Sequence, residues 1–351
     1  MALFEVTPND RLIWERELRD FLPEHIFDVH THVYRKQDLK PRKPGARTVL
    51  WPSLVAEENP AEDLAETYRL MFPGKRVDTL MFTTARAHLD TGNAYIVDCM
   101  KKTGWPALYF SHPTQSGDEV EAKIREHGFV GLKSYLSLSP SYLPEKEIRI
   151  YDFFPHEQLK ALNRMGAIMM LHIPRDGRLR DPVNLAQLIE IREKYPDIRM
   201  IVAHIGRAYA DCDIGNAFEV MEKAGCGFTF DFTANCSENA IRECLKFAGP
   251  KNLMFGTDMP ILRMRCRRIE ENNTYINLIP PGLYGDPSQD RHLREVPAEE
   301  ADSITFFAYE ELLAFKRAAR TLGLSGADVD DVMCGNALRL IADAKRSIYG
   351  E

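Results

Sequence analysis

The sequence predicts an α/β fold, a (β/α)₈ (TIM) barrel, on three observations. Short and almost wholly apolar runs recur eight times along the 351 residues. Helical or polar stretches separate successive runs, which is the pattern of parallel strands covered by helices. No Gly-x-Gly-x-x-Gly follows any run, which disfavours the competing doubly wound open sheet. Eight such units match the number at which a parallel barrel closes.

The barrel is preceded by a predicted N-terminal helix, residues 9–22, for which Asn9 or Asp10 is the expected N-cap. The first strand, residues 27–33, follows it. Residues 34–77 contain repeated prolines and are too long for a simple turn, so we interpret them as a structured insertion after strand one.

The remaining strands and helices alternate along the chain. The other seven strands are predicted at residues 77–82, 107–110, 129–133, 167–172, 199–204, 227–231 and 252–258. Helices are predicted at residues 61–71, 93–103, 119–126, 155–165, 184–194, 217–223, 238–247, 304–320 and 325–345. Residues 262–300, rich in Arg, Pro, Gly and Asn, are expected to form a long loop insertion after strand eight, over the barrel mouth. The whole chain, residues 1–351, is therefore predicted to be one domain, with the barrel at about 25–343.

Composition restricts the classes of protein to consider. A hydrophobic content of 44% and a charged content of 28% indicate a globular enzyme-sized protein. The net charge of −7 argues against a general nucleic-acid binder. No apolar run reaches the roughly 18 residues that span a bilayer, and the N-terminus lacks the features of a signal peptide. Seven scattered cysteines without a Cys-x-x-Cys pair suggest reduced thiols. We therefore expect a cytoplasmic protein without nucleic-acid or membrane partners; a homo-oligomer is compatible with the sequence.

Polar residues stand at the C-terminal ends of five predicted strands. They are His30 and His32 on strand one, Lys133 on strand four, His172 on strand five, His204 on strand six and Asp258 on strand eight. The C-terminal ends of barrel strands meet on one face, where active sites lie. A hydrogen-bonded core histidine would explain any one of these positions, but it explains the whole set poorly.

The two histidines of strand one are two residues apart and therefore project from one face of the strand, and Asp28 is expected on that same face. Paired imidazoles fill an apolar core badly, because each ring carries nitrogens that need partners. They are well suited to hold part of a metal's coordination sphere.

The arrangement resembles the amidohydrolase superfamily, in particular the amidohydrolase-related branch that includes aminocarboxymuconate semialdehyde decarboxylase, several lactonases and related metal-dependent hydrolases. The residues that carry the resemblance are His30-x-His32, His172, Val202–Gly206 with His204, Phe255–Pro260 with Asp258, and the closing Cys334–Leu340. The similarity covers nearly the whole barrel, whereas residues 262–300 have no family counterpart.

The resemblance implies that His30, His32, His172 and Asp258 bind one divalent metal, for which Zn²⁺ suits the ligand types and Mn²⁺ or Fe²⁺ are alternatives. A metal of this kind lowers the pKa of a water towards roughly 7. His204 and Asp258 would be catalytic, His204 by polarising a carbonyl or holding the attacking group in line and Asp258 by exchanging a proton. In two-metal members a lysine at the end of strand four is carboxylated and bridges both ions; we favour one metal and a substrate-binding Lys133.

Several polar residues near these strand ends are predicted to bind a small, carboxylate-bearing substrate. They are Lys133, Tyr135, Arg175 and Arg207, with Asp231 and Asn235 as weaker candidates. Further arginines lie nearby, at positions 86, 263, 265, 267 and 268. Guanidinium groups favour bidentate contact with carboxylates, although each arginine could equally pair with a nearby acid.

The chemistry predicted for this site is hydrolysis of an amide, lactone or similar carbonyl-centred bond in a small acidic substrate. The main alternative is a non-hydrolytic decarboxylase that acts on an unsaturated acid with the same metal. An isomerase and an inactive binding module are more distant alternatives. The residues indicate a reaction centre but not its substrate.

Overall fold

Parallel strands followed by helices form the centre of the computed structural model, which describes residues 3–41 and 54–350. Strands β1–β8 are His25–His32, Arg76–Phe82, Tyr109–Phe110, Gly131–Lys133, Ile168–Leu171, Arg199–Val202, Thr229–Asp231 and Leu253–Met254. Helices α1–α11 are Pro8–Ile13, Ala61–Met71, Leu89–Thr103, Gly117–His127, His156–Met165, Pro182–Lys194, Ala217–Lys223, Glu238–Ala248, Phe307–Leu322, Gly326–Asp330 and Asn336–Tyr349. The predicted α/β class with a parallel sheet is confirmed.

The eight strands pair in the order in which they occur in the chain. β1 pairs with β2, and β3 to β8 pair successively, all in parallel. A parallel bridge between Met81 and Ala107 connects β2 to the residues before β3. At the other side, the Val29 N–H donates to the Phe255 carbonyl at 3.0 Å, which connects β1 to the residue after β8. The strand ends that carry the predicted site therefore lie in one continuous arrangement.

Both faces of the strands are buried, which explains why their sequences are apolar throughout. Leu80 and Phe82 of β2 pack with Phe27 and Val29 of β1 in one buried cluster. Met81, between them, packs in a second cluster that the surrounding helices share. Side chains on alternate sides of these two strands thus enter different apolar layers.

The strands end earlier than the apolar runs predict. β8 is only Leu253–Met254, whereas the run extends to Asp258, and β6 ends two residues before His204. His204 and Asp258 have φ angles of 59° and 50°, which no residue of an extended strand adopts. The polar residues predicted at these strand ends therefore lie in tight turns beyond the ladder.

The N-terminal helix begins and ends differently from the prediction. Thr7, not Asn9 or Asp10, is the N-cap of α1, and Asp10 is the reciprocal partner that accepts from the Thr7 N–H at 2.7 Å. The helix continues as a π-helical turn, Trp14–Leu18, which keeps Trp14 and Leu18 buried.

The segment after β8 was predicted as a long loop, and that prediction was wrong. It contains a three-stranded sheet of β9, Arg267–Glu271, β10, Thr274–Ile279, and β11, Leu293–Glu295. β9 and β10 form an antiparallel hairpin through Asn272 and Asn273, whose φ angles are 51° and 58°. Asn is one of the few residues that adopts such angles, and consecutive pairs of this kind make tight hairpin turns.

The insertion after β1 is partly described. Its helix α2 has the predicted bounds, while residues 42–53 of the insertion lie outside the described residues. Within residues 3–41 and 54–350, no helix combines the length and the apolar character that crossing a membrane requires.

Candidate metal centre and active site

A cavity of about 260 Å³ lies at the C-terminal ends of the parallel strands. The predicted site residues that line it are His30, His32, Lys133, Tyr135, His172, His204 and Asp258. The structure therefore brings together side chains from positions as distant in sequence as 30 and 258, as the parallel arrangement requires.

A β-bulge in β1 determines which side chains face this cavity. Asp28 is opposite Thr79 and Thr31 is opposite Met81, so that two residues of β1 face one residue of β2. Val29 packs among the interior side chains, and His30 also points inward, towards the cavity. The simple alternation of sides is broken between Asp28 and Thr31.

Asp28 consequently does not share the face of the two histidines, contrary to the prediction. Its carboxylate accepts hydrogen bonds from the Tyr68 hydroxyl of α2 at 2.9 Å and from the Thr257 N–H at 3.0 Å. Burial raises the pKa of Asp28 to about 7, against these hydrogen bonds. Asp28 thus ties β1 to the turn that carries Asp258, and it does so from outside the cavity.

Three of the predicted ligands meet at one point. The Nε2 atom of His32 is 3.1 Å from Oδ1 of Asp258, and the Nε2 atom of His30 is 3.8 Å from the same oxygen. Ligand atoms of the three residues lie within 4.8 Å of one another, which is close enough to hold one metal ion.

Hydrogen bonds behind the two rings decide which nitrogen faces Asp258. Nδ1 of His32 is 3.0 Å from the Thr83 carbonyl, and Nδ1 of His30 is 3.1 Å from a carboxylate oxygen of Asp231. Carbonyls and carboxylates only accept, so each Nδ1 carries the proton and each Nε2 presents its lone pair. A hydrogen bond from the second ring nitrogen to a carbonyl or carboxylate is typical of histidines that bind a metal.

The Nε2 lone pairs of His30 and His32 and the Asp258 carboxylate would repel one another, unless a positive charge lies between them. Burial by itself would raise the pKa of Asp258, but the facing His32 and His30 rings hold it well below its usual range. Burial lowers the pKa of His30, which keeps that ring neutral near pH 7. An extra proton on His32 would satisfy one contact, whereas a cation among the three residues would satisfy all of them. The donor set therefore fits a divalent metal.

His204 and His172 line the same cavity at a greater distance from Asp258. The His204 ring centroid is 4.8 Å from that of His30 and 5.2 Å from that of His172. Nδ1 of His204 donates to the Thr233 carbonyl at 3.0 Å, so its Nε2 also presents a lone pair. Nδ1 of His172 is buried and has no hydrogen-bond partner among the described residues. Such an orphaned nitrogen fits a ring that awaits a ligand.

Burial sets the charge state of the remaining groups. Burial, aided by the neighbouring His30, lowers the pKa of His204 to about 4. Burial also lowers the pKa of His172 well below its usual value. Lys133, almost wholly buried, has its pKa lowered to about 8 by desolvation, although Asp258 and Asp231 favour its charged form. His30, His172 and His204 are thus neutral near pH 7, and they share the cavity with the Asp258 carboxylate and the Lys133 ammonium group.

Asp231 has a larger part in the site than the sequence indicated. Besides His30, it accepts from the backbone N–H of His204 at 2.8 Å and of Thr233 at 3.1 Å. Burial would raise the pKa of Asp231, but the His30 and His204 groups that face it lower that pKa to about 2. It forms a second group with His30 and His204 whose ligand atoms also lie within 4.8 Å of one another. One carboxylate thus orients two of the histidines.

The predicted substrate-binding residues divide into two groups. Lys133 and Tyr135 line the cavity, whereas Arg175 and Arg207 do not. The Arg175 guanidinium pairs with Asp181 at 3.1 Å, and Arg207 donates to backbone carbonyls of residues 173–175. Both guanidinium groups are therefore engaged by the chain itself, and their contact with a substrate stays a prediction.

Other residues of the cavity had weaker signals in the sequence. Tyr34 and Tyr209 both line it. Tyr34 stands two residues after His32, so the strand period could have found it. Tyr209 follows the turn after β6, where no local sequence pattern indicates which way a side chain points. Asn235, a weaker candidate, donates to the Ala208 carbonyl at 2.8 Å and accepts from the Ser237 N–H, and it therefore holds a turn.

Comparison with known proteins adds a family and a set of similar structures. Residues 27–273 match the family model described as amidohydrolase. A search of curated protein sequences finds no relative. A 2,6-dihydroxybenzoate decarboxylase bound to 2,6-dihydroxybenzoate superposes with a TM-score of 0.57 at 13% identity, over 91% of this chain and 100% of the other.

Two further structures are similar over comparable lengths. A probable 2-pyrone-4,6-dicarboxylic acid hydrolase from Acinetobacter baumannii gives a TM-score of 0.55 at 14% identity, over 90% of this chain and 99% of the other. A 5-carboxyvanillate decarboxylase from Novosphingobium aromaticivorans, solved with manganese, gives 0.53 at 13% identity, over 92% and 96%. At these identities the likeness concerns the fold.

Proposed function

Since the chain belongs to the amidohydrolase family that its residues 27–273 match, we propose that it is a metal-dependent hydrolase whose eight strands close into a (β/α)₈ barrel. The contacts that connect β1 to β2 on one side and to the turn after β8 on the other support this closure. The active site then lies at the C-terminal mouth of the barrel, where the cavity is found.

One observation carries the proposal: the lone pairs of His30 and His32 converge on one ionised oxygen of Asp258. We place a single divalent metal there, with His172 as the fourth protein ligand. Zn²⁺ suits this donor set, and Mn²⁺, present in one of the similar structures, is the main alternative. A bound ion of this kind supplies Lewis acidity towards a carbonyl or a water.

The side chains around the metal provide the acid–base chemistry. His204 is neutral, its Nδ1 proton is committed to the Thr233 carbonyl, and its Nε2 is therefore an acceptor in the cavity. We assign to His204 the positioning of the attacking water. Asp258, ionised and beside the same point, can accept the proton of that water and pass it to the leaving group.

Lys133 and Tyr135 provide the substrate contacts in the cavity. Among the described residues that line the cavity, Lys133 is the one with a cationic side chain. A carboxylate of the substrate would offset the desolvation that lowers the pKa of Lys133. We therefore propose a small carboxylate-bearing substrate with an amide, lactone or similar bond near the metal.

The proposal is tested with purified protein loaded with Zn²⁺ or Mn²⁺ and with protein treated with a chelator. Both are assayed against lactones, acyl-amino acids and unsaturated diacids, and metal content is measured in parallel. We expect turnover of at least one of these classes that is lost on chelation and restored by one equivalent of metal. Turnover that survives complete metal removal would contradict the proposal.

A decarboxylase that uses the same site is the second candidate. Tyr34, Phe110, Tyr135 and Tyr209 give the cavity aromatic walls that suit a planar unsaturated acid. Two of the similar structures are decarboxylases of aromatic acids. Release of CO₂ without incorporation of solvent oxygen would identify this chemistry, whereas incorporation of ¹⁸O from labelled water identifies hydrolysis.

A further inference from the structure

Two arginines flank the cavity mouth at positions to which no part of the reaction above assigns a role. Arg86 follows β2 and adjoins Ala85, and Arg263 follows β8, two residues after Ile261; both Ala85 and Ile261 line the cavity. Each arginine therefore lies within two residues of the cavity wall, one of them after β2 and the other after β8.

Each of these guanidinium groups keeps a buried N–H without a partner. Arg86 Nε and Arg263 Nη1 have no hydrogen-bond acceptor among the described residues. Arg263 is otherwise held in place, because its Nη2 donates to the Val55 carbonyl at 2.7 Å and its guanidinium lies 5.3 Å from the Phe4 ring centroid. Within the described part of the chain, neither arginine has a carboxylate within 4 Å; Asp63 acts on Arg263 only from farther away. Buried N–H groups without acceptors are costly and indicate a missing partner.

A third cationic residue lies beside Arg86. The Lys40 N–H donates to the Arg86 carbonyl at 2.8 Å, which places Lys40 next to the rim. Burial lowers the pKa of His112 after β3, and Lys40 lowers it further. In a protein with a net charge of −7, three cationic residues thus lie near this mouth, while Asp63 is an acid that acts on Arg263.

We propose that Arg86 and Arg263 form a second anion-binding subsite, which holds a carboxylate or phosphate group at the end of the substrate remote from the metal. Two guanidinium groups, each with an N–H that lacks an acceptor among the described residues, offer donors that match the oxygens of either group. The inference rests on the proposed function in one respect, since it takes the metal and Lys133 as the place where the other end of the molecule binds. The substrate is then a dianion, with one charge in the cavity and one at the rim.

The test compares the affinities of simple anions by calorimetry. The probes are succinate, glutarate, adipate and pimelate, the monocarboxylates of equal chain length, and the corresponding ω-phosphono carboxylates. We expect the best dianion to bind about tenfold more tightly than its matched monocarboxylate. Arg86→Gln and Arg263→Gln should each reduce this preference to less than about threefold and leave the affinity for the monocarboxylate unchanged. A phosphonate preferred over the dicarboxylate would identify a phosphate subsite, and the reverse order a carboxylate subsite.

Arg164→Gln is the matched control, because Arg164 is exposed on α5 and pairs with Glu121 at 2.8 Å. This variant should retain the full preference. An unchanged preference in folded Arg86→Gln, or no preference in the wild-type protein, would overturn the proposal. If Arg263→Gln fails to fold, since Arg263 packs on Phe4, the series Arg86→Gln and Arg86→Lys decides alone, with an intermediate preference expected for the lysine.

Binding is measured with metal-loaded and with chelator-treated protein, so that the two proposals fail separately. A preference that depends on Arg86 in a protein that takes up no metal would keep the subsite and reject the metal-dependent function. A protein that binds one metal and turns over a monoanionic substrate without any preference for dianions would keep the function and reject the subsite.

Discussion

The direction in which each imidazole presents its lone pair follows from one acceptor behind it. A carbonyl stands behind His32 and another behind His204, and the Asp231 carboxylate stands behind His30. These acceptors fix the proton on Nδ1 in all three rings, and the three Nε2 atoms are left to face the cavity. His172 lacks such a partner among the described residues, so its orientation depends on what binds in the cavity.

This difference leads to contrasting expectations for His172 and His204. His172→Ala should lower metal affinity more than tenfold and remove most activity, because a ligand is lost. His204→Ala should retain one equivalent of metal and lose turnover by about 10²-fold or more, because the side chain that positions the attacking water is lost. Metal content by elemental analysis, together with kcat, separates the two outcomes.

His127→Ala is the control, since His127 lies at the end of α4 on the outside of the sheet and should alter neither quantity. Equal loss of metal in the His172 and His204 variants would contradict the separate roles.

The buried ammonium group of Lys133 is expected to lower the free energy of unfolding and to contribute to substrate binding. Its folded-state pKa of about 8 lies below the usual lysine value of 10.5, so the unfolded chain binds more protons between these values. The free energy of unfolding should therefore rise as pH rises from about 8 to 10.5, and the full cost of the buried ammonium is present below pH 8. Lys133→Met should raise the free energy of unfolding at pH 7 by up to about 3 kcal/mol and weaken binding of carboxylate-bearing ligands.

Denaturant unfolding of the chelated wild-type and variant proteins at pH 7 and pH 10 checks this expectation. The stability difference between them should shrink at the higher pH. A Lys133→Met protein that is less stable than wild type at pH 7 would show that the ammonium is not a net cost.

At the level of elements, the small sheet of β9–β11 contacts the cavity wall through Tyr275, whose ring centroid is 5.3 Å from that of Tyr209, and through Arg268. The Arg268 guanidinium lies 4.7 Å from the Tyr209 ring centroid and 4.4 Å from that of Tyr275. Its Nε donates to Asn277 of β10 at 2.9 Å, and its Nη1 donates to the Ala234 carbonyl. Because Tyr209 lines the cavity, the position of this wall depends on the sheet that packs against it.

Arg268→Leu should therefore affect both stability and substrate binding. Loss of the cation–π contacts and of two hydrogen bonds is expected to cost about 2 kcal/mol of unfolding free energy. KM should rise more than kcat falls, because Tyr209 shapes the cavity and is not one of the proposed metal ligands; its ring centroid lies 6.1 Å from that of His204. Arg294→Leu, on β11 and half-exposed beside Glu271, is the matched control and should change both by little. A kcat effect larger than the KM effect would place Arg268 in the chemical step instead.

Local patterns predicted most elements and missed those that depend on distant partners. The helices Ala61–Met71 and Ala217–Lys223 have their predicted bounds, because amphipathic spacing is a property of the segment itself. The strands β9 and β10 were missed for different reasons. β9 is rich in charged residues and pairs across the Asn272–Asn273 turn, whereas the β-branched and aromatic residues of β10 are a local strand signal that the prediction overlooked. The bulge that turns Asp28 away from His30 depends on the register between β1 and β2, which no single strand encodes.

At the level of the whole molecule, the parallel order of the strands explains why the site could be predicted at all. Polar residues at the C-terminal ends of parallel strands converge whatever the details of their loops. The sequence therefore indicated His30, His32, His172, His204 and Asp258 as neighbours, and all five line one cavity. Local sequence patterns could not show which ring nitrogen of each histidine faces the cavity. That depends on the hydrogen bonds that the rings donate to Asp231, Thr83 and Thr233. For the same reason Arg175 and Arg207, predicted only from their place after a strand, turned out to be engaged by nearby backbone and Asp181.

The most direct test of the account is the location of a metal by anomalous scattering in crystals grown with Zn²⁺ or Mn²⁺. We expect one strong anomalous peak in the cavity, within about 2.0–2.3 Å of Nε2 of His30, Nε2 of His32 and a carboxylate oxygen of Asp258, with His172 completing the protein ligands. A peak elsewhere, or no peak in crystals of protein that is fully active, would contradict it.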